Sequence, residues 1–232
     1  MISKISYDSL QEMELWMAKL YSSQLYPTLM KSILSIVFVL SSLLNFGQDN
    51  YIEKIEKHRA EKDVELQSKK TSPLQKADRK TFQDLPYFEI DEKWKMSVRF
   101  RVNETQDVIE IPTSAGYSKT YQAYGVLDIY IDGNYFPITA YKRVLKEGQS
   151  APSHESLFVP FKDMTTGNST YGGGRYLDID VPEDGAQITL DFNLCYSPYC
   201  AYGDGFACPI PPQSNFIKTE ITAGEKAYEK AH

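Results

Sequence analysis

Alternating apolar and polar positions dominate the chain from residue 94 onward. In Trp94–Val102 every second residue is large and apolar, and the residues between them include Lys95, Ser97 and Arg99. A period of two places one set of side chains on the buried face of a strand and the other set in solvent. Similar runs predict further strands at Tyr124–Ile131, Tyr135–Tyr141, Leu157–Phe161, Arg175–Val181, Gln187–Cys195 and Phe216–Ala223.

Two local signals, a turn and a helical segment, add to these strands. Asp132-Gly133 separates two alternating runs, which predicts a hairpin because a type I′ turn needs positive φ at both central residues. Upstream, Asp49–Ser68 has the helical period instead, with Ile52 and Ile55 on one stripe. We therefore predict a mainly β fold, an antiparallel sandwich or partly open barrel with one N-terminal amphipathic helix.

An uncharged apolar run, Ser32–Phe46, precedes that helix. It is shorter than the roughly 20 residues that a membrane-spanning helix needs. With Lys31 before it and Gly47 after it, the segment 30–47 matches a signal peptide that begins at Met30. A buried core helix and an uncleaved anchor are the alternatives. The prediction is an exported protein, periplasmic or secreted, whose mature form has no transmembrane span.

Residues 1–29 would then precede the signal peptide, so we interpret them as a non-structural extension from an early start site, or as a cytoplasmic tail on a signal anchor. The remaining residues 48–232 suit a single domain. Removal of residues 1–47 takes away three basic and three acidic groups, so the net charge stays at −6. This balance argues against nucleic acid as a partner. It does not predict an oligomeric state.

The three cysteines lie close together at positions 195, 200 and 208. In an oxidising compartment such a cluster predicts a disulfide. Cys200–Cys208 is the preferred pair, and Cys195–Cys200 is the alternative. We predict neither a metal site nor a cofactor, because the spacing lacks the paired ligands and the fourth ligand of a zinc site.

Four segments together resemble a bacterial and archaeal family catalogued as domain of unknown function 1684. They are Arg59–Asp63, Ser72–Leu74, Leu157–Asp180 and Leu190–Glu225. The most specific parts are the run F-x-D-x-T-x-G followed by Y-G-G-G-R-Y, and the run that contains P-x-C-A-Y and C-P-x-P-P. The resemblance covers nearly all of the mature domain. It implies a β-rich fold but no reaction and no ligand.

The glycine-rich run that ends in Arg175 is the first candidate site. Three glycines, Gly173 among them, let the backbone approach a ligand closely, and Arg175 can then hold a carboxylate or phosphate with Tyr171 beside it. The alternative is a tight turn that leads into the strand, with Asp163 as the internal partner of Arg175. The pattern leaves both open.

Two further groups complete the candidate set. On the strand Gln187–Cys195, Asp191 and Asn193 share the polar face, and Asp178 lies on the adjacent predicted strand. Such carboxylates form either an acid–base pair or an ordinary solvated face. In the loop that follows, Tyr196 and Tyr202 can stack on a sugar or lipid-like ligand, or can serve as core residues.

These features support three hypotheses about function. The first is a non-enzymatic binding module for a small anionic, sugar-like or lipid-like envelope ligand. The second is a hydrolase that uses an aspartate pair among Asp163, Asp178 and Asp191, with Arg175 stabilising charge. The third is an interaction protein without a small-molecule site.

Overall fold

The computed structural model describes residues 7–22, 31–32, 50–145, 148 and 154–229. The chain divides into two compact units, Met1–Glu53 and Lys54–His232. The predicted signal peptide, residues 30–47, falls outside the described residues except at positions 31–32, so it stays a prediction. Among the described helices, none combines the length and the apolar character needed to cross a membrane.

Helices account for the N-terminal part of the described chain. They are α1 at Tyr7–Ser22, α2 at residues 50–67 and the short α3 at Lys76–Thr81. The amphipathic helix predicted at Asp49–Ser68 is confirmed by α2. Its residue Leu66 is fully buried in a small cluster with Leu85 and Tyr202. Helix α1 lies in the segment predicted to be non-structural, and its side chains at 11–19 are exposed. The proposed processing of that segment stays a prediction.

One eight-stranded sheet forms the body of the second unit. Its strands are β1 (Lys95–Val102), β2 (Val108–Pro112), β3 (Ser118–Ile131), β4 (Asn134–Arg143), β5 (Ser156–Asp163), β6 (Arg175–Asp180), β7 (Gln187–Asp191) and β8 (Phe216–Ile217). The order is β6-β5-β4-β3-β1-β7, with β2 paired to β3 and β8 paired in parallel to β5. All other pairings are antiparallel, and the sheet curls into a nearly closed barrel. The predicted fold class is confirmed.

The predicted hairpin joins β3 to β4. Asp132 and Gly133 have φ values of 49° and 76°, as a type I′ turn requires, and Ile131 pairs with Asn134. Farther along the same pair, the register shifts at Gly125. A Cβ atom there would collide with the ring of Phe100, so only glycine allows this close approach.

The core fills the inside of the barrel with the inward residues of the alternating runs. Fully buried examples are Phe100, Leu127, Ile138, Leu157 and Leu190, and they belong to one contiguous cluster. Two predicted strands are shorter than expected. The side chain of Asp191 accepts a hydrogen bond from Asn193 N and starts a 3-10 turn, which ends β7.

The strand predicted at Phe216–Ala223 pairs over only two residues. Arg175 binds the carbonyls of Ile221 and Ala223 instead, so these groups do not enter a ladder. Conversely, β2 and the first residues of β3 were not predicted from the pattern.

Candidate functional site

The glycine-rich run forms a tight turn before β6. Gly174 has a φ of 92°, and a Cβ atom there would collide with the carbonyl of Phe161 and the ring of Pro211. At Gly173 the ring of Tyr171 occupies the place of a side chain. These glycines are therefore used for close packing inside the protein, which is the turn interpretation of the motif.

Arg175 is completely buried and its partners are internal. Its guanidinium lies 3.0 Å from Asp163 Oδ2, and both side chains have no exposed surface. It also donates to the carbonyls of Ile221, at 2.8 Å, and Ala223. A ligand would have to displace this whole set. Arg175 therefore holds the C-terminal segment against the barrel and is not the proposed ligand anchor.

Asp163 also has only internal partners. Its carboxylate accepts hydrogen bonds from Thr165 at 2.8 Å, from Thr166 at 3.0 Å and from Ile221 N at 2.8 Å. The run F-x-D-x-T-x-G thus encodes a buried charge with its donors. A buried carboxylate with this many partners has no free oxygen for acid–base chemistry.

Tyr202 belongs to a second buried polar group. Its hydroxyl donates to Glu225, a carboxylate with no exposed surface that also accepts from Ser197 N at 3.2 Å. Burial raises the pKa of Glu225 to about 7, although the hydrogen bonds from Tyr202 and Ser197 oppose this. Glu225 was missed from the sequence, because nothing in its exposed-looking context (A-G-E-K) signals burial.

Asp191 and Asn193 stabilise a chain reversal. The amide of Asn193 accepts from Asp91 N at 3.1 Å and donates to Asp91 O at 2.9 Å. This exchange ties the start of β1 to the end of β7, so the Asn193 amide acts as a structural bridge.

Cys200 and Cys208 lie at disulfide distance, with a Cα–Cα separation of 6.3 Å. Ser114 braces the same loop, since its hydroxyl contacts Cys200 Sγ at 3.0 Å and accepts from Cys208 N at 3.1 Å. Cys195 is unpaired and buried, and burial raises the pKa of its thiol to about 11. This thiol is therefore a poor nucleophile at neutral pH.

A cleft of about 690 Å³ lies elsewhere on the same unit, between α2 and the barrel. Its polar or charged lining side chains include Lys62, Glu65, Lys119, Arg143, Asp178, Tyr196 and Tyr199. The members of the predicted set that line it are Asp178, Asn193, Tyr196 and Cys208. Asp163, Tyr171, Gly173, Arg175, Asp191, Cys200 and Tyr202 are not among its lining residues.

Aromatic rings form a continuous row along the cleft wall. Tyr121 stacks on Phe158 at 5.5 Å, Phe158 meets Tyr176 at 4.7 Å, and Tyr176 meets Tyr196 at 5.8 Å. The row begins on β3 and crosses β5 and β6, so the sheet itself positions it. The ammonium group of Lys62 lies 5.7 Å from the ring centre of Tyr196. Such a wall suits a flat ring or a sugar face.

One end of the cleft carries paired charges. Lys62 and Glu65 form a 3.1 Å salt bridge, and Tyr199 donates to Glu65 at 2.7 Å. Nearby, Tyr196 donates to Asp178. Crowding by the surrounding protein atoms raises the pKa of Asp178, against this hydrogen bond and the charge of Lys62, even though part of the side chain is exposed.

The other end carries like charges. Burial and the neighbouring charge of Arg143 both lower the pKa of Lys119, whose ammonium donates to Ala207 O at 2.6 Å. In the part of the chain that the structure describes, no carboxylate forms a salt bridge with Lys119 or Arg143. Two uncompensated cations in a cleft attract an anion. The described residues contain no group of three metal-ligating side chains.

Comparison with known proteins extends these observations. The model of the family described as "Protein of unknown function (DUF1684)" matches residues 80–226, which confirms the resemblance stated above and includes the Lys119–Arg143 end of the cleft. A solution NMR structure of an uncharacterized protein from Haloarcula marismortui is 36% identical and has a TM-score of 0.60. That match covers 78% of this chain and 96% of the other. No functionally curated protein matches.

Proposed function

The chain belongs to the family described as "Protein of unknown function (DUF1684)", and we propose from its cleft that it is an exported, non-enzymatic binding module for a small organic anion. The observation that carries this proposal is the pair of cations Lys119 and Arg143 at one end of an aromatic cleft, with which no carboxylate of the described residues forms a salt bridge. The ligand would place its anionic group there and its ring or sugar against the tyrosines.

Keeping Lys119 protonated costs free energy in the ligand-free protein. Lys119 is partly desolvated beside a like charge, which disfavours its protonated form. A bound anion removes this cost and raises the pKa of Lys119 again. Affinity for the anion therefore falls as pH rises far enough to deprotonate Lys119 in the free protein. Arg143 can contact a carboxylate or phosphate through two nitrogens.

The volume and the wall define the rest of the ligand. About 690 Å³ is within the range of small-molecule pockets, which hold molecules of drug or sugar size. In the aromatic row, Phe158 and Tyr196 are partly exposed, and ring–ring contacts with the buried Tyr121 and Tyr176 fix them. These two rings therefore offer their area without large loss of side-chain freedom.

Binding is favoured over hydrolysis by where the carboxylates lie. The hydrolase hypothesis needs an aspartate pair with Arg175, but Asp163 and Arg175 are buried against each other. Asp178 alone of the three proposed aspartates lines the cleft. A single carboxylate that accepts from Tyr196 has no second acid or base of that set opposite it.

One probe separates the three hypotheses. Aryl phosphates carry both a ring and an anionic group, and 4-nitrophenyl phosphate also reports hydrolysis by colour. We expect calorimetry on the full-length protein to show saturable binding of this probe, weaker binding of 4-nitrophenol and of inorganic phosphate, and no release of nitrophenol. Turnover that is lost in Asp178→Asn would establish the hydrolase instead. Absence of binding by any anionic ring compound would leave the interaction protein.

The matched variants test the anion end directly. Lys119→Met with Arg143→Met should weaken the probe at least about tenfold, because two charge-assisted contacts are removed. Lys142→Met is the control, since Lys142 lies next to Arg143 in sequence but pairs with Glu155 at 2.6 Å outside the cleft. Equal affinity in the double variant and the control would refute the proposed anion site.

Export is the second part of the proposal. It is supported by the signal peptide predicted at residues 30–47 and by the two cysteines at disulfide distance. Mass spectrometry of the protein from the periplasm or the culture medium should find a mature chain that starts near residue 48 with Cys200 and Cys208 oxidised. A mature chain that retains residues 1–29, or that carries three free thiols, would contradict export as proposed.

A further inference from the structure

The barrel is open along one seam, between β6 and β7. Among the described strands, β6 pairs with β5 alone and β7 with β1 alone. The two sides meet at a single bridge, where Tyr176 N donates to Tyr196 O at 2.8 Å and Tyr196 N donates to Tyr176 O at 3.0 Å. Beyond this bridge a groove of about 390 Å³ separates the strands.

Backbone groups of β6 face this groove. Both backbone groups of Tyr176 point towards Tyr196, and the direction alternates along a strand, so those of Asp178 and Asp180 point the same way. Tyr176 pairs with Pro160 on β5, and Pro160 has no N–H to offer, which fits this assignment. In the described part of the chain, these groups of Asp178 and Asp180 have no backbone partner on the groove side.

A backbone group pair of β7 faces this groove as well. In the β1–β7 ladder, Phe100 N donates to Ala186 O at 2.9 Å. By alternation, Ile188 and Leu190 also bond to β1, and the N–H and C=O of Thr189 turn towards the groove. Within the described residues, Thr189 has no backbone partner there either. Beyond the Tyr176–Tyr196 bridge, β6 and β7 therefore face each other with backbone groups that have no backbone partner among the described residues.

The side chains of the groove follow a pattern with an apolar floor and an acidic rim. The apolar lining residues are Leu177, Ile179, Val181, Ile188, Leu190 and Leu194. The carboxylates that line the same groove are Asp178, Asp180 and Asp191. An added strand would direct alternate side chains to the floor and to the rim. Carboxylates on both strands disfavour a second copy of this edge, because like charges would then face each other.

We propose that this groove binds an extended peptide of a partner protein, which adds as a strand between β6 and β7. Apolar side chains of the peptide contact the floor, and alternate Lys or Arg side chains contact the acidic rim. Strand rise and spacing give roughly 160 Å³ per residue in a packed sheet, so the groove holds two or three residues. The contact is thus short, and its specificity lies in alternating apolar and basic residues.

The test measures fluorescence anisotropy of labelled peptides with the full-length protein. A peptide of about seven residues in which Val and Lys alternate should bind saturably. A Val/Glu peptide should bind at least about tenfold more weakly, because it places carboxylates on the acidic rim. A Val/Lys peptide with proline at its central positions should not bind, because it cannot complete the ladder.

Position 189 offers a variant that acts on the backbone alone. Thr189→Pro removes an N–H that faces the groove and leaves the β1–β7 ladder intact, and we expect about fivefold to tenfold weaker binding. Thr189→Val is the matched control and should bind within about twofold of the original protein. Thermal unfolding checks the fold of both. If the proline variant does not fold, Asp180→Asn replaces it and should weaken the Val/Lys peptide and reduce its salt dependence.

Equal binding of Val/Lys and Val/Glu peptides, or no binding of either, would overturn the proposal. A concentration-dependent dimer that is lost in Thr189→Pro would overturn it too, by assigning the seam to a second copy. Thr189 does not line the aromatic cleft, so failure here is distinguishable from failure of the anion site.

Discussion

Two regions of this protein contain the same kinds of side chain and use them in opposite ways. Around Arg175 the two terminal nitrogens of the guanidinium meet a carboxylate and backbone carbonyls, its buried Nε has no hydrogen-bond partner among the described residues, and neither Arg175 nor Asp163 is exposed. Around Lys119 and Arg143 the cations lie beside each other in an open cleft, with no carboxylate salt bridge among the described residues. A buried charge that is paired inside the protein maintains the fold, whereas an accessible charge without a salt bridge is available to a ligand.

The largest expected effect on stability comes from removing the charge of Asp163 beside Arg175. Asp163→Asn keeps the shape of the side chain but leaves Arg175 charged, buried and without its counter-ion. We expect the free energy of unfolding to fall by about 3–5 kcal/mol. Urea unfolding followed by circular dichroism measures this. A loss below about 1 kcal/mol would mean that Arg175 finds another partner and that the region is not essential to the fold.

The contrast between these regions also shows what the sequence can predict. Alternation in Trp94–Val102 and the Asp132-Gly133 turn are local signals, so strands and hairpin could be predicted. The importance of Arg175 and Asp163 could be inferred from the family motif. The pairing of Asp163 with Arg175 was one of two open interpretations. The sequence could not decide between it and a ligand site, because burial and the approach of Ile221 depend on chain segments distant in sequence.

The cleft was missed for a related reason. Counting back from the Asp132-Gly133 turn pairs Arg143 with Gln122, but the bulge beside Gly125 shifts the partner to Tyr121. This pairing places Arg143 directly opposite Tyr121, the first residue of the aromatic row. The sequence gives no sign of the bulge other than the glycine itself, and α2 cannot be placed over the sheet without tertiary information.

Glu225 offers an intermediate case, a buried carboxylate without a counter-ion. Its pKa is about 7 in the folded protein against a usual value of 4.5, so the folded protein binds the proton more tightly. The associated stability is fully present below pH 4.5 and is lost as pH rises through 7. This costs up to about 3 kcal/mol at alkaline pH.

The measurement is the free energy of unfolding from about pH 5 to about pH 8, which spans the pKa of about 7. Glu225→Gln cannot ionise and should remove this part of the pH dependence, so that its curve is flatter than that of the original protein. Glu220→Gln, at an exposed position, is the control and should keep the slope. Parallel curves for all three proteins would show that the pKa of Glu225 is not raised into this range in the folded protein.

The smallest effect is expected at an arginine–aspartate pair with better geometry than the buried one. Arg101 binds Asp128 through two nitrogens, at 2.8 and 2.7 Å, and Tyr135 donates to the same carboxylate at 2.6 Å. The Arg101 side chain is 46% exposed, so water competes for these charges. Asp128→Asn should therefore cost about 1 kcal/mol or less, and added salt should shrink the cost further.

The hydrogen bond from Arg101 lowers the pKa of Asp128, so this small contribution is present above the usual pKa of an aspartate and is lost as pH falls below it. Asp128→Asn and Asp163→Asn are the same chemical change in two arginine pairs. If their costs in urea unfolding are similar, hydrogen-bond geometry governs both pairs and the argument from burial fails. If the buried pair costs several-fold more, desolvation sets the difference, because removing Asp163 leaves Arg175 charged and away from water whereas water replaces the lost partner of Arg101.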